Sequence, residues 1–414
     1  MTSTTGILED PSTDVRHEIS SKNGVVESIE KVFFNKLASG VIDAGRCIQC
    51  ASCTLVCPSK SLGIAEDDQP TLLKMCTGCS LCWDFCPRGG LRYEKLWADG
   101  KEFQDPELGT LTGTYTARAK DPAAGTQDGG IVTAILEEWF KAGEIDAAIL
   151  ARRTANNPLK GEAFVAKSIP DLEQCTGSFY NQILPLDVLK DIRKWGLNSR
   201  SRIALVGTPC EVGGAKAIAK FPWKYRDDGL PLVKYTIALM CTSNFNFGRL
   251  MSEFKTRGYD LSKAFKIDVK DNILRLYDKE GKVLGEDHVK NFREARLKGC
   301  PECADFSGRT ADIAIGAVGS APDYSSVLVR TENGHKGWKL AEAAVESRDI
   351  DDIGEIKRIE LRNKELAIKV LKRPFSEELP LKIPYHEHLQ MYKDTPRTPV
   401  KPAPYRTQHY EISC

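Results

Sequence analysis

Between residues 109 and 349 apolar and polar positions alternate in two rhythms, short runs of period two and longer ones of period three to four. That predicts strands interleaved with helices. GTLTGTYTARA reads as a strand. QDGGIVTAILEEWFKAGEID reads as a turn and an amphipathic helix, with Ile131, Ala134, Ile135, Leu136 and Trp139 on its apolar face and Gly143 closing it. AAILARR is a short strand, LDVLKDIRKWGL a helix, and RIALVGTPC a buried strand ending in a turn. AKAIAKF is helical, VKYTIALMC a strand, and FGRLMSEFKTRGY a helix. FKIDVKDNILRLYDKEGKVLGEDHV has turn signals at Asp271–Asn272 and Glu280–Gly281 and reads as a meander. ADIAIGAVG and SSVLVRT are strands, and GWKLAEAAVESR is a helix. The alternation predicts an α/β domain, which the meander makes mixed rather than doubly wound.

The flanks follow other rules. Val25, Ile29, Val32, Phe33 and Leu37 recur at near-helical spacing before Gly40, which predicts a short N-terminal helix. From Pro374 to Cys414 there are seven of the chain's 21 prolines, so neither helix nor sheet is supported there. Such a segment is either a disordered tail or an extended arm on a surface, and Tyr385, Leu389, Met391, Tyr392 and Tyr405 suit an arm.

Cysteine changes the picture most. Residues 47–87 hold CIQCASCTLVCP and CTGCSLCWDFCP, each a C-x2-C-x2-C-x3-C-P run. In this bacterial ferredoxin spacing three close thiolates take three corners of a 4Fe–4S cube and the fourth ligates the other cluster. One cluster therefore takes Cys47, Cys50, Cys53 and Cys86, and the second takes Cys76, Cys79, Cys82 and Cys57. Pro58 and Pro87 end any helix begun in each run. Zinc and disulfides do not match a duplicated run of four with a following proline. The intervening SLGIAEDDQPTLL is long enough for a hairpin. The expected organisation is an extension with a short helix over 1–38, a two-cluster domain over 39–93, a larger mixed-sheet domain over 94–372 and the arm over 373–414. The fold class is accordingly α+β or mixed α/β, a small ferredoxin-type domain joined to a larger mixed-sheet domain.

Length and composition narrow the rest. A chain of 414 residues exceeds the usual single core. A net charge of +1 gives no reason to expect nucleic acid or anionic lipid. Fourteen cysteines in so long a chain are not a secreted disulfide scaffold. The N-terminus lacks a basic region followed by an apolar core, and no run approaches the ~20 apolar residues of a membrane span. A cytoplasmic location is expected, with peripheral membrane association only through a partner.

Six cysteines lie outside the ferredoxin runs. Cys210 ends RIALVGTPC and Cys241 ends VKYTIALMC, and carboxyl ends of neighbouring strands converge on one crevice in an open α/β sheet. Cys300 and Cys303 form KGCPEC. Spacing alone leaves three readings open: a third 4Fe–4S cluster, a zinc or redox-active pair, and buried structural thiols. Cys175 reads as a half-buried free thiol, and the final Cys414 as inert. QDGG before a helix offers Gly129, Gly130 and Thr133 as an anion site, although Asp128 serves equally as a simple cap. The turn Gly207–Thr208–Pro209 lets backbone approach a planar ligand. No GxGxxG or GxxxxGK[ST] motif is present, so a Rossmann flavin site and an ATPase have no support. All six histidines lie in loops or tails, and no Ser, His and Asp set suggests a hydrolase. No catalytic acid or base is named.

GTLTGTYTARA, QDGGIVTAIL, VGTPCEV, LMCTSNF, KGCPECADFSGRTADIAIGAVGS and SSVLVRTENG, in this order over roughly residues 109–345, resemble the beta subunit of coenzyme F420-reducing hydrogenase and its relatives. The resemblance implies one 4Fe–4S cluster on Cys210, Cys241, Cys300 and Cys303, with Asp305 and Asp312 supporting it. It also implies an FAD, near the glycines above and near Ser178, Asn181, Gly319 and Ser320. The function implied is a redox relay between coenzyme F420, FAD and three 4Fe–4S clusters, within a complex of other subunits or with a redox partner protein. Candidate contacts for the donor's anionic tail are Arg152, Arg153, Arg293, Arg296, Lys298 and Arg330. Two alternatives stay open, a reductase of a tetrapyrrole or other organic substrate and a flavin-free electron-transfer subunit. Paired nickel-binding motifs are absent, so the chain is not expected to activate hydrogen itself.

Overall fold

The computed structural model describes residues 15–20, 26–31, 33–89, 107–123, 125–220 and 233–370. The C-terminal arm lies outside them. Residues Val15–Ser20 (β1) and Val26–Lys31 (β2) pair as an antiparallel hairpin. The helix expected from Val25 is therefore restricted to Phe34–Leu37, and it runs into a wider turn over Ala38–Ile42 that contains Gly40. Val26 and Ile29 are β-branched and stiff at χ1, which favours the pleated alternative once a partner strand of equal length is at hand.

In the cysteine-rich segment, short helices Ser52–Leu55 and Leu81–Asp84 flank the expected hairpin, Leu62–Ile64 (β3) and Pro70–Leu72 (β4). The two halves share a backbone device. Gln49 and Ala51 in the first, and Gly78 and Ser80 in the second, all have φ between 55° and 69°. Left-handed residues curl each loop back on its own cysteines, at a cost ordinary L residues bear only when the surroundings impose it.

The larger unit is an eight-stranded sheet of order β15-β5-β14-β13-β9-β8-β6-β7. In chain order these strands are Gly113–Ala119 (β5), Ala147–Arg153 (β6), Gly161–Ala166 (β7), Ile203–Gly207 (β8) and Val233–Leu239 (β9), then Ile313–Gly316 (β13), Ser325–Val329 (β14) and Val345–Asp349 (β15). The meander Lys266–Lys270 (β10), Ile273–Tyr277 (β11) and Val283–His288 (β12) forms its own three-stranded sheet. β6, β8, β9 and β13 are mutually parallel, while β7, β14, β5 and β15 pair antiparallel, so the sheet is mixed. Its parallel core brings the ends of Arg153, Gly207, Leu239 and Gly316 to one edge, where ligands bind in open sheets.

Two helices, Ile131–Lys141 and Glu332–Ala341, cover one face. Trp139 stacks on Tyr235 with ring centroids 4.2 Å apart, and its indole N–H donates to the Gly337 carbonyl. The other face buries Leu186, Leu189, Ala215 and Ile218, and also Leu55, Val56, Leu81 and Phe85 of the cysteine-rich segment. The small unit thus shares a core with the sheet. Burying a side chain the size of Val56 or Phe85 stabilises by about 1.5–3 kcal/mol.

Several elements depart from the sequence reading. β7 and β15 are extra edge strands, and the helix expected through residue 348 stops at Ala341. Residues Ile353–Val370 form the longest helix among the described residues, with Ile356, Glu360, Asn363, Lys364, Ala367 and Ile368 buried. Cys210 does not end a strand. It lies in the first turn of Pro209–Lys220, because Pro209 is preorganised for a helix start.

Candidate functional site

The thiols gather in sets. Cys53 lies near Cys50, Cys47, Cys86 and Cys82, and Cys79 near Cys57 and Cys76. Burial, with neighbouring thiols adding to it, pushes Cys47 and Cys86 up to about 12 and Cys53 well above its usual range. Backbone amides point at sulfur in both halves, Gln49 N–H to Cys47 Sγ and Gly78 N–H to Cys76 Sγ, each at 3.4 Å. Ser61 N–H reaches Cys57 Sγ at 3.3 Å and Arg88 N–H reaches Cys86 Sγ at 3.4 Å.

A further set stands on three separate segments: Cys210 in the first turn of Pro209–Lys220, Cys241 just past β9, and Cys300 with Cys303 at a single short helical turn. Burial raises Cys241, with Cys300 and Cys303 as its next neighbours, and burial with Glu211, Cys50 and Cys303 raises Cys210. Cys303 is pushed up to about 11, chiefly by burial. Gln182 donates through Nε2 to Cys210 Sγ at 3.3 Å, and the Thr208 hydroxyl lies 3.2 Å from the same sulfur. Glu211, fully buried, is pushed up to about 7 by burial although it accepts from the Thr208 amide and hydroxyl.

These sets suit iron–sulfur cubanes. Buried thiols with raised pKa values are poor anions alone, and a bound metal cluster is what deprotonates them outright. Inward-turned amides then stabilise the sulfur charge. Among the described residues no three His, Cys, Asp or Glu side chains converge as a single-ion site. A cubane instead spreads four cysteines over its corners.

The first and third sets adjoin. Ile48, Cys50 and Cys210 form one small buried cluster, and half-buried Cys300 packs against it. Burial raises the thiols on both sides, and Arg88, itself buried, partly opposes that rise at Cys47, Cys50 and Cys86 on one side and at Cys300 and Cys303 on the other; its Nε donates to the Gly299 carbonyl at 2.8 Å. A Cβ on Gly299 would stand 2.0 Å from the Arg46 carbonyl oxygen, so only glycine admits this approach. Arg46, Arg88, Glu302 and Gly299 carry no ligand pattern in sequence, so spacing does not single them out.

The residues expected around a flavin divide. Ser178 lines a cavity of about 610 Å³ between the end of β6 and the meander, a volume typical of cofactor pockets. Gly207, Thr208 and Pro209 form the turn that carries Cys210. Thr133 is half-buried in the first helical turn after Gly130, which is left-handed at φ 66°. Four candidates are otherwise engaged. The Gly129 amide donates to Ser325 Oγ at 3.2 Å, and Asn181 exchanges hydrogen bonds with both backbone groups of Gly161. Ser320 Oγ lies 3.0 Å from Thr116 Oγ1 and 2.7 Å from Ser326 Oγ, and the Gly319 carbonyl accepts from the Asp352 amide. Asp312 clamps Lys216, Thr236 and Thr331, and Asp305 accepts from the Arg309 amide.

The basic candidates separate too. Arg330 is buried and donates to the Leu108, Thr110 and Ser307 carbonyls. Arg293 is exposed beside Glu294, and Lys298 is exposed. Arg296 is half-buried, its pKa lowered by burial and partly restored by Cys300. Arg152 and Arg153 line the cavity.

Comparison with known proteins gives three family matches. For the coenzyme F420 hydrogenase/dehydrogenase beta subunit, the model of the C terminus matches residues 200–372 and the model of the N-terminal part matches 114–190. A 4Fe-4S dicluster domain matches 39–99. The chain is 30% identical over 335 residues to the coenzyme F420-dependent sulfite reductase of Methanocaldococcus jannaschii, covering 78% of this chain but only 50% of that protein. It is 28% identical over 326 residues to one of the subunits of F(420)H(2) dehydrogenase from Methanosarcina mazei, covering 74% of this chain and 85% of that one. A chain of the F420-reducing nickel–iron hydrogenase complex from Methanosarcina barkeri shares the fold, with a TM-score of 0.61 and 23% identity over 73% of this chain and 99% of that chain.

Proposed function

The chain belongs to the coenzyme F420 hydrogenase/dehydrogenase beta-subunit family, with a 4Fe-4S dicluster domain ahead of it, and is an oxidoreductase; from that premise we propose an electron relay between coenzyme F420 and three 4Fe–4S clusters by way of FAD. When bound, FAD supplies the exchange between a two-electron hydride and the single electrons that clusters carry. Cys47, Cys50, Cys53 and Cys86 would hold one cluster, Cys57, Cys76, Cys79 and Cys82 the second, and Cys210, Cys241, Cys300 and Cys303 the third. Of the expected flavin contacts, Thr133 and Ser178 would reach the flavin through their side chains, whereas the Gly130 and Thr208 backbone groups are already hydrogen-bonded within the chain.

One observation carries the reading, the packing of Cys50 and Cys210 in one buried cluster with half-buried Cys300 against it. It joins the ferredoxin-type set to the set at the sheet edge without an intervening linker. Arg46, Arg88 and Glu302, all buried, hold that junction by hydrogen bonds. Sulfite is not carried over as a substrate, since the chain spans half of the relative that reduces it. Among the described residues no helix is long and apolar enough to cross a membrane. The cysteines of the described residues are free thiols, which suits a reducing cytoplasm, and a complex with other redox subunits is the setting proposed.

The test is anaerobic. Purified protein should contain FAD and about twelve irons by cubane stoichiometry, and reduced F420 should bleach the flavin band far faster than NADH or NADPH. Rapid bleaching by NADPH with none by reduced F420 would move the protein to another substrate. Protein without flavin would support the electron-transfer role alone.

A further inference from the structure

Arg153 closes β6 at the carboxyl edge of the sheet and lines the 610 Å³ cavity. Its guanidinium lies 4.1 Å from the ring centroid of Phe265 and 5.5 Å from that of Phe179. Nη1 donates to the carbonyls of Pro158 and Phe265. Those contacts fix the planar fork while using one of its three nitrogens. Nε and Nη2 have no acceptor, and no carboxylate pairs with Arg153, among the described residues. Its neighbour differs: Arg152 pairs with Glu162 at 2.8 Å.

A half-buried guanidinium without a counter-ion is unfavourable unless its partner arrives from outside, and a fixed fork is the geometry that recognises phosphate or carboxylate. Lys266 lines the same cavity and adds a second cation. Glu173, a carboxylate of the lining, is exposed, as are Gly125 and Gln174. Exposed residues in the wall leave this part of the cavity open to a ligand that comes and goes, beside the flavin that Ser178 on the same cavity would contact.

We propose that Arg153 anchors the anionic tail of the hydride donor, phosphate or carboxylate, so that the cavity between β6 and the meander is the donor's tail subsite. This rests on the reading of F420 as that donor. Anchoring the tail here leaves the ring to be aligned separately, and alignment is where misplacement costs rate.

The test is calorimetric titration of intact wild-type, Arg153→Gln and Arg153→Lys proteins. The two probes are oxidised F420 and a deazaflavin analogue that ends at the ribityl hydroxyl and carries no phosphate. Flavin and iron are measured on the same samples. Wild type should bind F420 about tenfold or more tighter than the tail-less analogue, about 1.4 kcal/mol. Arg153→Gln should bind the two alike, Arg153→Lys should keep part of the preference, and flavin and iron should be unchanged. An Arg153→Gln protein that keeps the full preference overturns the subsite. Loss of FAD in that variant also overturns it, assigning the arginine to the flavin diphosphate. A wild type that binds both probes equally overturns the subsite alone, while one that binds neither overturns the F420 reading and the subsite with it.

Discussion

Arg46 and Glu302, 256 residues apart, meet as a forked ion pair, Nε to Oε1 at 2.9 Å and Nη2 to Oε2 at 3.0 Å, with side chains 9% and 4% exposed. The same guanidinium also donates to the Gly40 and Arg88 carbonyls. Removing one partner leaves the other charged and buried. Glu302→Ala should therefore destabilise by about 3–5 kcal/mol, whereas a paired Arg46→Met, Glu302→Met replacement should recover much of that loss. Denaturant unfolding of the holoprotein checks it. A single variant within about 0.5 kcal/mol of wild type, the range of ordinary surface changes, would show the pair to be idle.

Arg88 should set the electrochemistry of the junction. A fixed cation stabilises whichever neighbouring group gains an electron, and Arg88 acts on thiols of both the first and third sets. Arg88→Met should lower the reduction potentials of both, and Arg88→Lys should lower them less. An anaerobic potentiometric titration followed by electron paramagnetic resonance reads the shift. A rise, or a change confined to the Cys57, Cys76, Cys79 and Cys82 set, would contradict this placement.

Cys300→Ser should remove one cluster and spare two. By cubane stoichiometry, iron falls from about twelve per chain to about eight. Loss of all iron would mean that the ferredoxin-type segment cannot load its clusters without the sheet.

Cys175 is held as a neutral thiol. Burial pushes it up to about 12, opposed by Arg152 and aided by Asp171. A raised pKa means the thiolate is scarce below it, roughly one part in ten thousand at pH 8, and the thiolate is the species that alkylates. Iodoacetamide labelling of the native protein, mapped by mass spectrometry, should leave Cys175 largely unmodified near pH 8. The rate should rise about tenfold per pH unit toward 12 while the fold holds. Fast labelling at neutral pH would contradict a buried thiol.

What sequence revealed tracks how local each constraint is. Cubane ligation by close thiolates imposes a spacing, so eight candidate cysteines stood out in one window of the chain. The helix over Ile131–Lys141 was legible because its buried residues are apolar at the helical period. The helix over Ile353–Val370 was not, because its buried face includes Glu360, Asn363 and Lys364. Glu360 holds that place by accepting the Phe306 and Ser307 amides just beyond Cys303, a partnership no periodicity displays. The basic residues make the same point. Arg153 and Arg293 look alike in a string of letters, yet one is stacked between two phenylalanines and the other sits in solvent beside Glu294.

The shared core has a consequence for the order of synthesis. Leu55, Val56 and Phe85 leave the ribosome early, but the surface they pack on includes Leu205, Ile218 and Ala367. At about 5–20 residues per second, Val56 waits roughly 7–30 s for Leu205 and 15–60 s for Ala367. Throughout that interval the nascent segment shows both an unmatched apolar face and eight thiols to its surroundings. Early cluster insertion, or a chaperone on that face, would shorten the exposure, and slowing translation after codon 90 should lower the yield of iron-loaded protein more than the yield of chain.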